Sequence, residues 1–287
     1  MRSPRIRPGL ILFLALIAGC SPTTVPSTTT TAAVTTSIST VVGPITEEYL
    51  PGLQANVFVP NASGGRAPLV VVVPGGGWRT ADPAGFETLA RYLADSGVMT
   101  ITITVRAAND GVVYPTPVED ALCAVAFGAA WARENGILPE PVLVLGHSSG
   151  AHLAAMAVLA VAEYSPSCPF QKIAPDGLIG LAGTYDVSRF PDLAQSLFGV
   201  SQGEDPGLWE AGNPVTHAGI RPEVPVLLIH GDVDELVRSA MTNDFGLLLE
   251  EGGHAPTIRI VPGADHHEIY TSWASGGLIV DWLADLR

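Results

Sequence analysis

Cysteine, lysine and charged residues in general are scarce in this sequence of 287 residues. Three cysteines are too few for a disulfide scaffold, and no C-x-x-C or H-E-x-x-H spacing indicates zinc. We therefore expect neither a metal nor a cofactor. Charged residues make up 15% of the chain, and acidic residues outnumber basic ones to give a formal net charge of −14. This acidity excludes nucleic acid as a partner, because phosphate backbones bind basic surfaces.

A long hydrophobic run is also missing. The N-terminal apolar run, residues 10–18, is too short to span a bilayer, which needs roughly 20 apolar residues. It follows three arginines and ends in small residues before Cys20, which is the pattern of a secretory signal. A cysteine at the first mature position resembles the bacterial lipobox, so we interpret residues 1–19 as a lipoprotein signal peptide. The alternative is an ordinary signal peptide with an incidental Cys20. The lipoprotein interpretation predicts an extracytoplasmic domain held to the membrane by a lipid anchor.

Large apolar side chains are almost absent from the next segment. Residues 21–40 contain nine threonines, four serines and two prolines, a composition that cannot bury enough surface to fold. We therefore expect residues 20–43 to be the lipidated cysteine followed by a disordered tether. The folded domain is predicted to span residues 44–287.

That domain alternates predicted strands and helices. Apolar residues form 47% of the sequence, and a continuous β-branched run such as residues 69–73 (LVVVV) is typical of a strand buried on both faces. Strands are predicted at 53–59, 69–73, 98–105, 142–145, 177–182, 224–230 and 257–261, and helices at 82–96, 118–135, 151–162, 236–251 and 275–286. The alternation indicates an α/β fold with a mostly parallel central sheet and helices on both faces. Residues 190–217 are predicted to form a small helical insertion over the site.

The predicted strand 142–145 leads into Gly146-His147-Ser148-Ser149-Gly150 and then a helix. This is G-x-S-x-G in the strand–turn–helix context of a nucleophile elbow, which makes Ser148 the candidate nucleophile. The glycines are expected because the sharp turn leaves no room for side chains two positions either side of the serine. His147 is predicted to point elsewhere and to serve packing.

Three consecutive glycines, residues 75–77, follow the buried strand 69–73. Such a loop turns its backbone N–H groups inward, where they stabilise an oxyanion that develops on a substrate carbonyl. The partner donor is expected to be the amide of Ser149. A phosphate-binding P-loop is excluded, since no lysine follows the glycines and Lys172 is the single lysine of the chain.

A general base and a carboxylate are needed to complete the chemistry of a serine nucleophile. The histidine pair that follows the predicted strand 257–261 supplies the base, with His266 favoured and His267 as the alternative. For the acid we favour Asp234 over Asp232, because Asp232 lies in the immediate turn and is expected to cap it. Asp186 is a third candidate.

The domain resembles a serine carboxylesterase of the α/β-hydrolase superfamily, close to the hormone-sensitive-lipase-type and feruloyl- and acetyl-esterase-like branch. The matching segments occur in the family's order and cover nearly the whole domain. They are PGGGW (74–78), YPTPVEDALCAVAFGAAW (114–131), GHSSGAHLA (146–154), GTYDVSRF (183–190), NPVTH (213–217), HGDVDELV (230–237) and PGADHHEI (262–269).

The resemblance implies an α/β-hydrolase fold and the cleavage of small-molecule carboxylic esters, such as short-chain, aryl or acetyl esters, through an acyl-enzyme. It assigns the nucleophile, acid and base to Ser148, Asp234 and His266, and the oxyanion-hole amides to Gly76, Gly77 and Ser149. One position departs from the family, which usually has histidine where this chain has Pro74. The alternative functions are an arylformamidase or other amidase, a serine peptidase, and a non-catalytic surface binding protein.

The two cysteines of the domain, Cys123 and Cys168, lie in an oxidising compartment if the domain is secreted. A disulfide between them is one alternative, and two separate buried thiols are the other.

Overall fold

An eight-stranded sheet forms the centre of the structure, a computed structural model that describes Gly9 and residues 43–60 and 65–286. Except for Gly9 and Gly43, the predicted signal peptide (1–19) and the predicted tether (20–43) with Cys20 lie outside the described residues. None of the helices among the described residues has the length and hydropathy that crossing a lipid bilayer requires.

The strands follow the order β1-β2-β4-β3-β5-β6-β7-β8 across the sheet. The pairs β1–β2 and β2–β4 are antiparallel, whereas all other neighbouring pairs are parallel. Parallel strands end at the same edge of a sheet, so the loops after β3, β5, β7 and β8 converge there. The strands are β1 Ile45–Leu50, β2 Leu53–Phe58, β3 Gly65–Val73, β4 Met99–Ile103, β5 Ile137–His147, β6 Gly177–Leu181, β7 Val226–Gly231 and β8 Thr257–Val261.

Helices cover both faces of the sheet, as the sequence predicts. One hydrophobic cluster joins the sheet to α2, α3 and α6, and a second joins it to α1 and α7. The helices are α1 Glu87–Asp95, α2 Thr116–Glu134, α3 Ser149–Leu159, α4 Pro191–Phe198, α5 Pro206–Ala211, α6 Ala240–Glu251 and α7 Gly277–Asp285.

The apolar run of β3 serves both layers at once. Val71 and Val73 belong to the cluster under α2 and α3, whereas Val70 and Val72 belong to the cluster under α1 and α7. Because side chains alternate along a strand, a strand covered on both faces needs apolar residues at every position. This confirms the interpretation of residues 69–73 as a doubly buried strand.

The structure adds one strand that was not predicted and moves several strand limits; β3, for example, starts at Gly65 rather than at residue 69. The first strand, β1 (Ile45–Leu50), was not predicted, because four of its six residues are exposed and carry no alternating apolar pattern. It lies at the sheet edge and pairs with β2. Strand β5 starts at Ile137 rather than at residue 142, through a segment in which two prolines mask the strand pattern.

The segment predicted as a helical insertion contains α4, α5 and a short 3₁₀ turn at Pro214–His217. The rings of Phe198 and Trp209 pack with centroids 4.7 Å apart and tie α4 to α5. Phe190 and Leu193, at the start of this segment, line the pocket described below.

A disulfide joins Cys123 of α2 to Cys168, which lies in the segment between α3 and β6. The two Cα atoms are 5.8 Å apart, and the rings of Phe127 and Phe170 pack nearby with centroids 5.4 Å apart. The crosslink therefore ties an irregular segment to the helix that covers the sheet beside it.

Candidate active site

The sharp turn between β5 and α3 carries Ser148. Its backbone has φ 53° and ψ −123°, in the positive-φ region that only glycine adopts without strain. A Cβ atom on Gly146 would collide with the carbonyl group of Gly150, and one on Gly150 would collide with the carbonyl groups of Val73 and Pro74. This close approach confirms the reason for which glycine was expected on either side of the serine.

Hydrogen bonds fix the main chain of Ser148. Its amide donates to the carbonyl of Leu181 over 2.9 Å, and its own carbonyl accepts the amide and the hydroxyl of Thr184, each over 3.3 Å. Among the described residues, no protein group is hydrogen-bonded to the Ser148 hydroxyl. The main chain of the turn is thus fixed, and the hydroxyl lies in the same pocket as His266 without being hydrogen-bonded to it in the described part of the chain.

Asp234 and His266 form a buried hydrogen-bonded pair at the ends of β7 and β8. The distance from His266 Nδ1 to Asp234 Oδ2 is 2.7 Å, and the carboxylate is fully buried. A carboxylate can only accept, so His266 carries its proton on Nδ1. In the neutral ring, Nε2 then has the lone pair that a general base requires.

Four donors surround the carboxylate of Asp234. Oδ1 accepts the amides of Leu236 and Val237 over 2.9 and 2.8 Å, and Oδ2 accepts His266 Nδ1 together with His230 Nε2 over 3.1 Å. Burial raises the pKa of Asp234, but the hydrogen bonds from His230, His266 and the Val237 amide outweigh it. The pKa consequently lies well below its usual range, and the group is ionised at neutral pH.

The other two acid candidates serve turns. Asp232 Oδ1 accepts the amide of Gly263 over 2.6 Å, so it holds the turn after β8 rather than capping its own turn as expected. Asp186 accepts the amide of Ser188 over 3.1 Å and the side-chain amide of Asn213 over 3.2 Å. Within the described ranges, neither carboxylate is hydrogen-bonded to an imidazole.

The two histidines after β8 have different surroundings. His266 is buried against Asp234, whereas His267 is exposed, with its ring centroid 5.5 Å from that of His266. Asp265 Oδ1 accepts the amides of His267 and Glu268, each over 2.8 Å, which fixes the turn after His266. The structure therefore brings His266 and not His267 to the carboxylate.

The glycine loop after β3 lies beside the elbow. Gly76 and Gly77 have φ values of 152° and 59°, and the amide of Gly76 donates to Ser149 Oγ over 3.1 Å. In the part of the chain that the structure describes, the amides of Gly77 and Ser149 have no protein acceptor. Of the three amides assigned to the oxyanion hole, two are therefore free and the third is hydrogen-bonded to a side chain.

Trp78, the residue after the glycines, is held by His152 of α3. Trp78 Nε1 donates to His152 Nδ1 over 3.2 Å, and His152 Nε2 donates to the carbonyl of Gly212 over 2.7 Å. Burial lowers the pKa of His152 to about 4, so its ring is neutral and both hydrogen bonds can form. No role was predicted for His152 from the sequence, yet its ring links the residue after the glycine loop to Gly212 of the insertion.

His147 is buried, as predicted, but the prediction that it points away from the site is wrong. Side chains alternate along β5, so His147 lies on the same face as Leu143 and Leu145. The loop that carries His266 crosses this face, and His147 Nε2 donates to the carbonyl of His266 over 2.8 Å. The two ring centroids are 4.7 Å apart.

His230 is a second site residue that the sequence analysis missed. Its ring is fully buried in β7, where Nδ1 accepts the hydroxyl of Thr242 over 2.7 Å and Nε2 approaches Asp234. The available signal was a titratable residue inside an apolar strand, four positions before the favoured acid. A buried polar group needs partners, and those of His230 are the Thr242 hydroxyl on Nδ1 and, on Nε2, the carbonyl of Val237 over 2.7 Å together with the carboxylate of Asp234.

The free energy of unfolding is expected to fall as the pH drops below about 6.5, the ordinary pKa of histidine. Burial lowers the pKa of His147 to about 3 and that of His152 to about 4. Between these folded-state pKa values and pH 6.5, the unfolded chain binds more protons than the folded protein does. In this pH range the free energy of unfolding therefore rises with pH, by up to about 1.4 kcal/mol per pH unit for each of the two histidines.

Urea unfolding between pH 7.5 and 4.5 measures this slope. In the variant His147→Gln the side chain cannot titrate, so the slope of the free energy of unfolding against pH should lose the contribution of one histidine. A free energy of unfolding that does not change between pH 7 and pH 5 would contradict the assignment of both rings as neutral.

A pocket of about 530 Å³ opens at this edge of the sheet. Its lining includes Ser148, His266 and glycines 75–77, so the predicted groups share one cavity. The rest of the wall is mostly apolar, and six of its side chains are Trp78, Phe86, Phe190, Leu193, Leu236 and Tyr270. The volume is in the range of small-molecule sites.

Solved structures share this architecture. A truncated carbohydrate esterase from gut microbiota superposes with a TM-score of 0.73 at 18% identity, covering 85% of this chain and 99% of that one. A propionate-bound thermophilic esterase of Thermogutta terrifontis gives a TM-score of 0.69 at 21% identity, covering 85% of this chain and 92% of that one. The fold is that of the α/β-hydrolases, as the sequence resemblance implies.

Curated relatives match at slightly higher identity. Esterase LipQ of Mycobacterium tuberculosis is 27% identical over 223 residues, which cover 71% of this chain and 51% of LipQ. A probable isoprenylcysteine alpha-carbonyl methylesterase, ICMEL1 of Oryza sativa, is 25% identical over 236 residues, covering 77% of this chain and 55% of that protein. The chain thus spans about half the length of the curated relatives it matches.

A protein-family comparison matches residues 55–249 to BD-FAE, a segment that runs from β2 to α6 and contains Ser148 and Asp234. The match takes in more than half of the sequence. The chain therefore belongs to the BD-FAE family.

Proposed function

We propose that this protein hydrolyses carboxylic esters with Ser148 as nucleophile, His266 as general base and Asp234 as the acid that orients it. The observation that carries the proposal is the buried 2.7 Å hydrogen bond between His266 Nδ1 and Asp234 Oδ2, in a site whose pocket is also lined by Ser148. The Ser148 hydroxyl and His266 Nε2 are not hydrogen-bonded within the described residues, so proton transfer requires them to approach to hydrogen-bonding distance in the complex with the ester.

In the first half of the reaction, Ser148 Oγ attacks the ester carbonyl carbon while His266 Nε2 takes the hydroxyl proton. The oxyanion that forms is bound by the free amides of Gly77 and Ser149. Losing one such donor typically costs roughly 10²–10³ in rate. The ionised carboxylate of Asp234 stabilises the imidazolium. Collapse of the tetrahedral adduct breaks the ester C–O bond, and the imidazolium protonates the departing alcohol.

In the second half, water attacks the acyl group on Ser148. His266 Nε2 removes a proton from that water, and the second tetrahedral adduct expels Ser148 Oγ, which takes the proton back. The products are the alcohol and the carboxylic acid, and no group other than these side chains and amides is required. A metal or cofactor has no step in this scheme.

The names of related proteins support an ester substrate. LipQ is called an esterase, another relative from Mycobacterium tuberculosis is called a probable carboxylic ester hydrolase, and the related rice protein is called a methylesterase. The apolar wall and the 530 Å³ volume of the pocket suit short-chain, aryl or acetyl esters of small molecules. An amidase and a serine peptidase use the same nucleophile and remain the alternatives.

Steady-state hydrolysis by the purified protein, measured on p-nitrophenyl acetate, butyrate and octanoate, tests the proposal. The matched controls are the corresponding p-nitroanilides, which change only the bond that is cleaved, and an aryl formamide is added as a substrate of the arylformamidase alternative. We expect ester kcat/KM to exceed anilide and formamide kcat/KM by at least about 10²-fold. A higher kcat/KM on the formamide than on the esters would show that the protein is an amidase rather than an esterase. No turnover of any compound by the folded protein would favour a binding module.

We also propose that residues 1–19 are a cleaved signal peptide, that Cys20 is lipidated and that residues 20–43 tether the hydrolase domain, residues 44–287, outside the cytoplasm. The basic head, the short apolar run and Cys20 support this proposal. Wild-type protein should enter the detergent phase on Triton X-114 separation. A Cys20→Ser variant that enters it equally would contradict lipidation.

A further inference from the structure

His147 lies where the three parts of the site meet. It directly precedes Ser148, its Nε2 donates to the main-chain carbonyl of His266 over 2.8 Å, and it is buried. On its other side, a Cβ atom on Gly75 would lie 2.9 Å from His147 Nδ1 and 3.0 Å from Ser148 Cβ. The imidazole of His147 therefore lies between the turn that carries Ser148, the glycine loop and the loop that carries His266.

Aromatic contacts leave the ring of His147 little freedom. Its centroid lies 4.7 Å from that of His266, 4.7 Å from that of Tyr270 and 6.0 Å from that of Phe86. The ring is thus enclosed on the face of the sheet that α1 and α7 cover, and its hydrogen bond to His266 is excluded from water. A hydrogen bond shielded in this way holds its partner more firmly than one in water.

The ring is suited to donate a hydrogen bond without carrying a charge. Burial, and then the neighbouring charge of His266, lower the pKa of His147 to about 3. His147 therefore stays neutral while His266 becomes an imidazolium during the reaction, so the two rings do not repel each other. In the neutral ring, the proton must be on Nε2, since that atom faces the carbonyl oxygen.

We propose that His147 is a positioning residue that fixes His266 relative to Ser148 by donating its Nε2 proton to the His266 carbonyl. This role rests on the proposed ester hydrolysis. Asp234 fixes the orientation of the His266 ring, whereas His147 fixes the main chain from which the ring projects. Displacing a catalytic group by about 1 Å can cost on the order of 10² in rate, which sets the scale of the effect.

A matched pair of variants separates the hydrogen bond from packing. Glutamine and methionine are both unbranched and similar in size, but only the amide of His147→Gln can donate to the His266 carbonyl. We expect kcat on p-nitrophenyl butyrate to fall by about 10- to 100-fold in His147→Met and by less than about threefold in His147→Gln. KM should change less than kcat in both variants, because the lost hydrogen bond acts on His266, although the His147 ring is also part of the pocket lining.

His254→Met is the control for losing a buried histidine elsewhere. His254 is buried and its Nε2 donates to the carbonyl of Ile220 over 3.0 Å, outside the pocket. This variant should lose thermal stability but keep the wild-type kcat. Equal kcat values for His147→Met and His147→Gln would overturn the proposal, whether both were high or both low.

A measurement on the wild-type protein covers the case in which His147→Met does not fold. Long-range ¹H–¹⁵N spectra of ¹⁵N-histidine-labelled protein, assigned with His147→Gln, report the protonated nitrogen. We expect His147 to carry its proton on Nε2 and to stay neutral down to pH 5. A proton on Nδ1, or titration near the ordinary pKa, would overturn the proposal. Wild-type protein that shows this tautomer but hydrolyses no ester would instead refute the proposed function.

Discussion

Replacing Ser148 by alanine is expected to abolish ester hydrolysis while leaving the fold intact. The Ser148 hydroxyl is assigned to form the acyl-enzyme, since the neighbouring Ser149 hydroxyl accepts the amide of Gly76, and losing the nucleophile of a comparable triad lowers kcat by about 10⁶-fold. The backbone strain at φ 53° is the same for serine and alanine, so the unfolding temperature should not change. Hydrolysis of p-nitrophenyl butyrate measures the effect.

Ser96→Ala is the matched control, because Ser96 is an exposed serine that donates to the carbonyl of Tyr92 at the end of α1. It should keep the wild-type rate. If Ser148→Ala retained more than a few per cent of the wild-type rate, Ser148 could not be the nucleophile.

The second large effect is expected at Asp234. All four neighbours of its carboxylate are donors, two main-chain amides on Oδ1 and two imidazoles on Oδ2. An asparagine has one acceptor oxygen, so its NH₂ group would face either the two main-chain amides or the two imidazoles, all of which are donors. Asp234→Asn should therefore lower kcat by about 10³- to 10⁴-fold, since the base loses its tautomer and the imidazolium loses its countercharge.

Asp234→Asn should also destabilise the fold by about 1–3 kcal/mol, because a buried donor is left without an acceptor. Urea unfolding measures this term separately from kcat. Asp232→Asn is the control, as it makes the same change two residues away in a carboxylate that caps a turn. A larger loss of kcat in Asp232→Asn than in Asp234→Asn would contradict the assignment of the acid.

The fold was predictable where local pattern and global packing agree. The valines of β3 are apolar at every position because each face of the sheet meets a different helical layer, and the sequence shows this as an unbroken run. Strand β1 lies at the edge and is mostly exposed, so it has no apolar pattern and is held by pairing with β2. Backbone pairing at a sheet edge requires no particular side chains, so it produces no recognisable sequence pattern.

The ends of the parallel strands made the candidate site predictable as well. Topology brings these ends together, so residues after β3, β5, β7 and β8 could be expected to meet without knowledge of any side-chain position. Choosing between His266 and His267 was a different problem. The choice depends on which of the two rings the turn capped by Asp265 directs towards Asp234. Two adjacent histidines show no sequence pattern that would distinguish the buried one from the exposed one.

The roles of three buried histidines were not predicted. The partners of His147 and His152 lie far along the chain, whereas the contact of His230 with Asp234, four residues away, depends on the turn after β7. His147 contacts the main chain of a residue 119 positions away, His152 joins Trp78 to Gly212, and His230 shares Asp234 with His266. Only coordinates show these partners. The hydrogen bond from Trp78 to His152 also holds the residue that follows the glycine loop.

Mass spectrometry after treatment with a fluorophosphonate tests the central claim most directly. The reagent forms a stable adduct with a serine only when base, carboxylate and oxyanion donors together activate its hydroxyl. We expect one adduct per folded chain, on the peptide that contains Ser148, with no adduct in Ser148→Ala and slow formation in Asp234→Asn. A folded wild-type protein that stays unmodified, or that is modified at another serine, would contradict it.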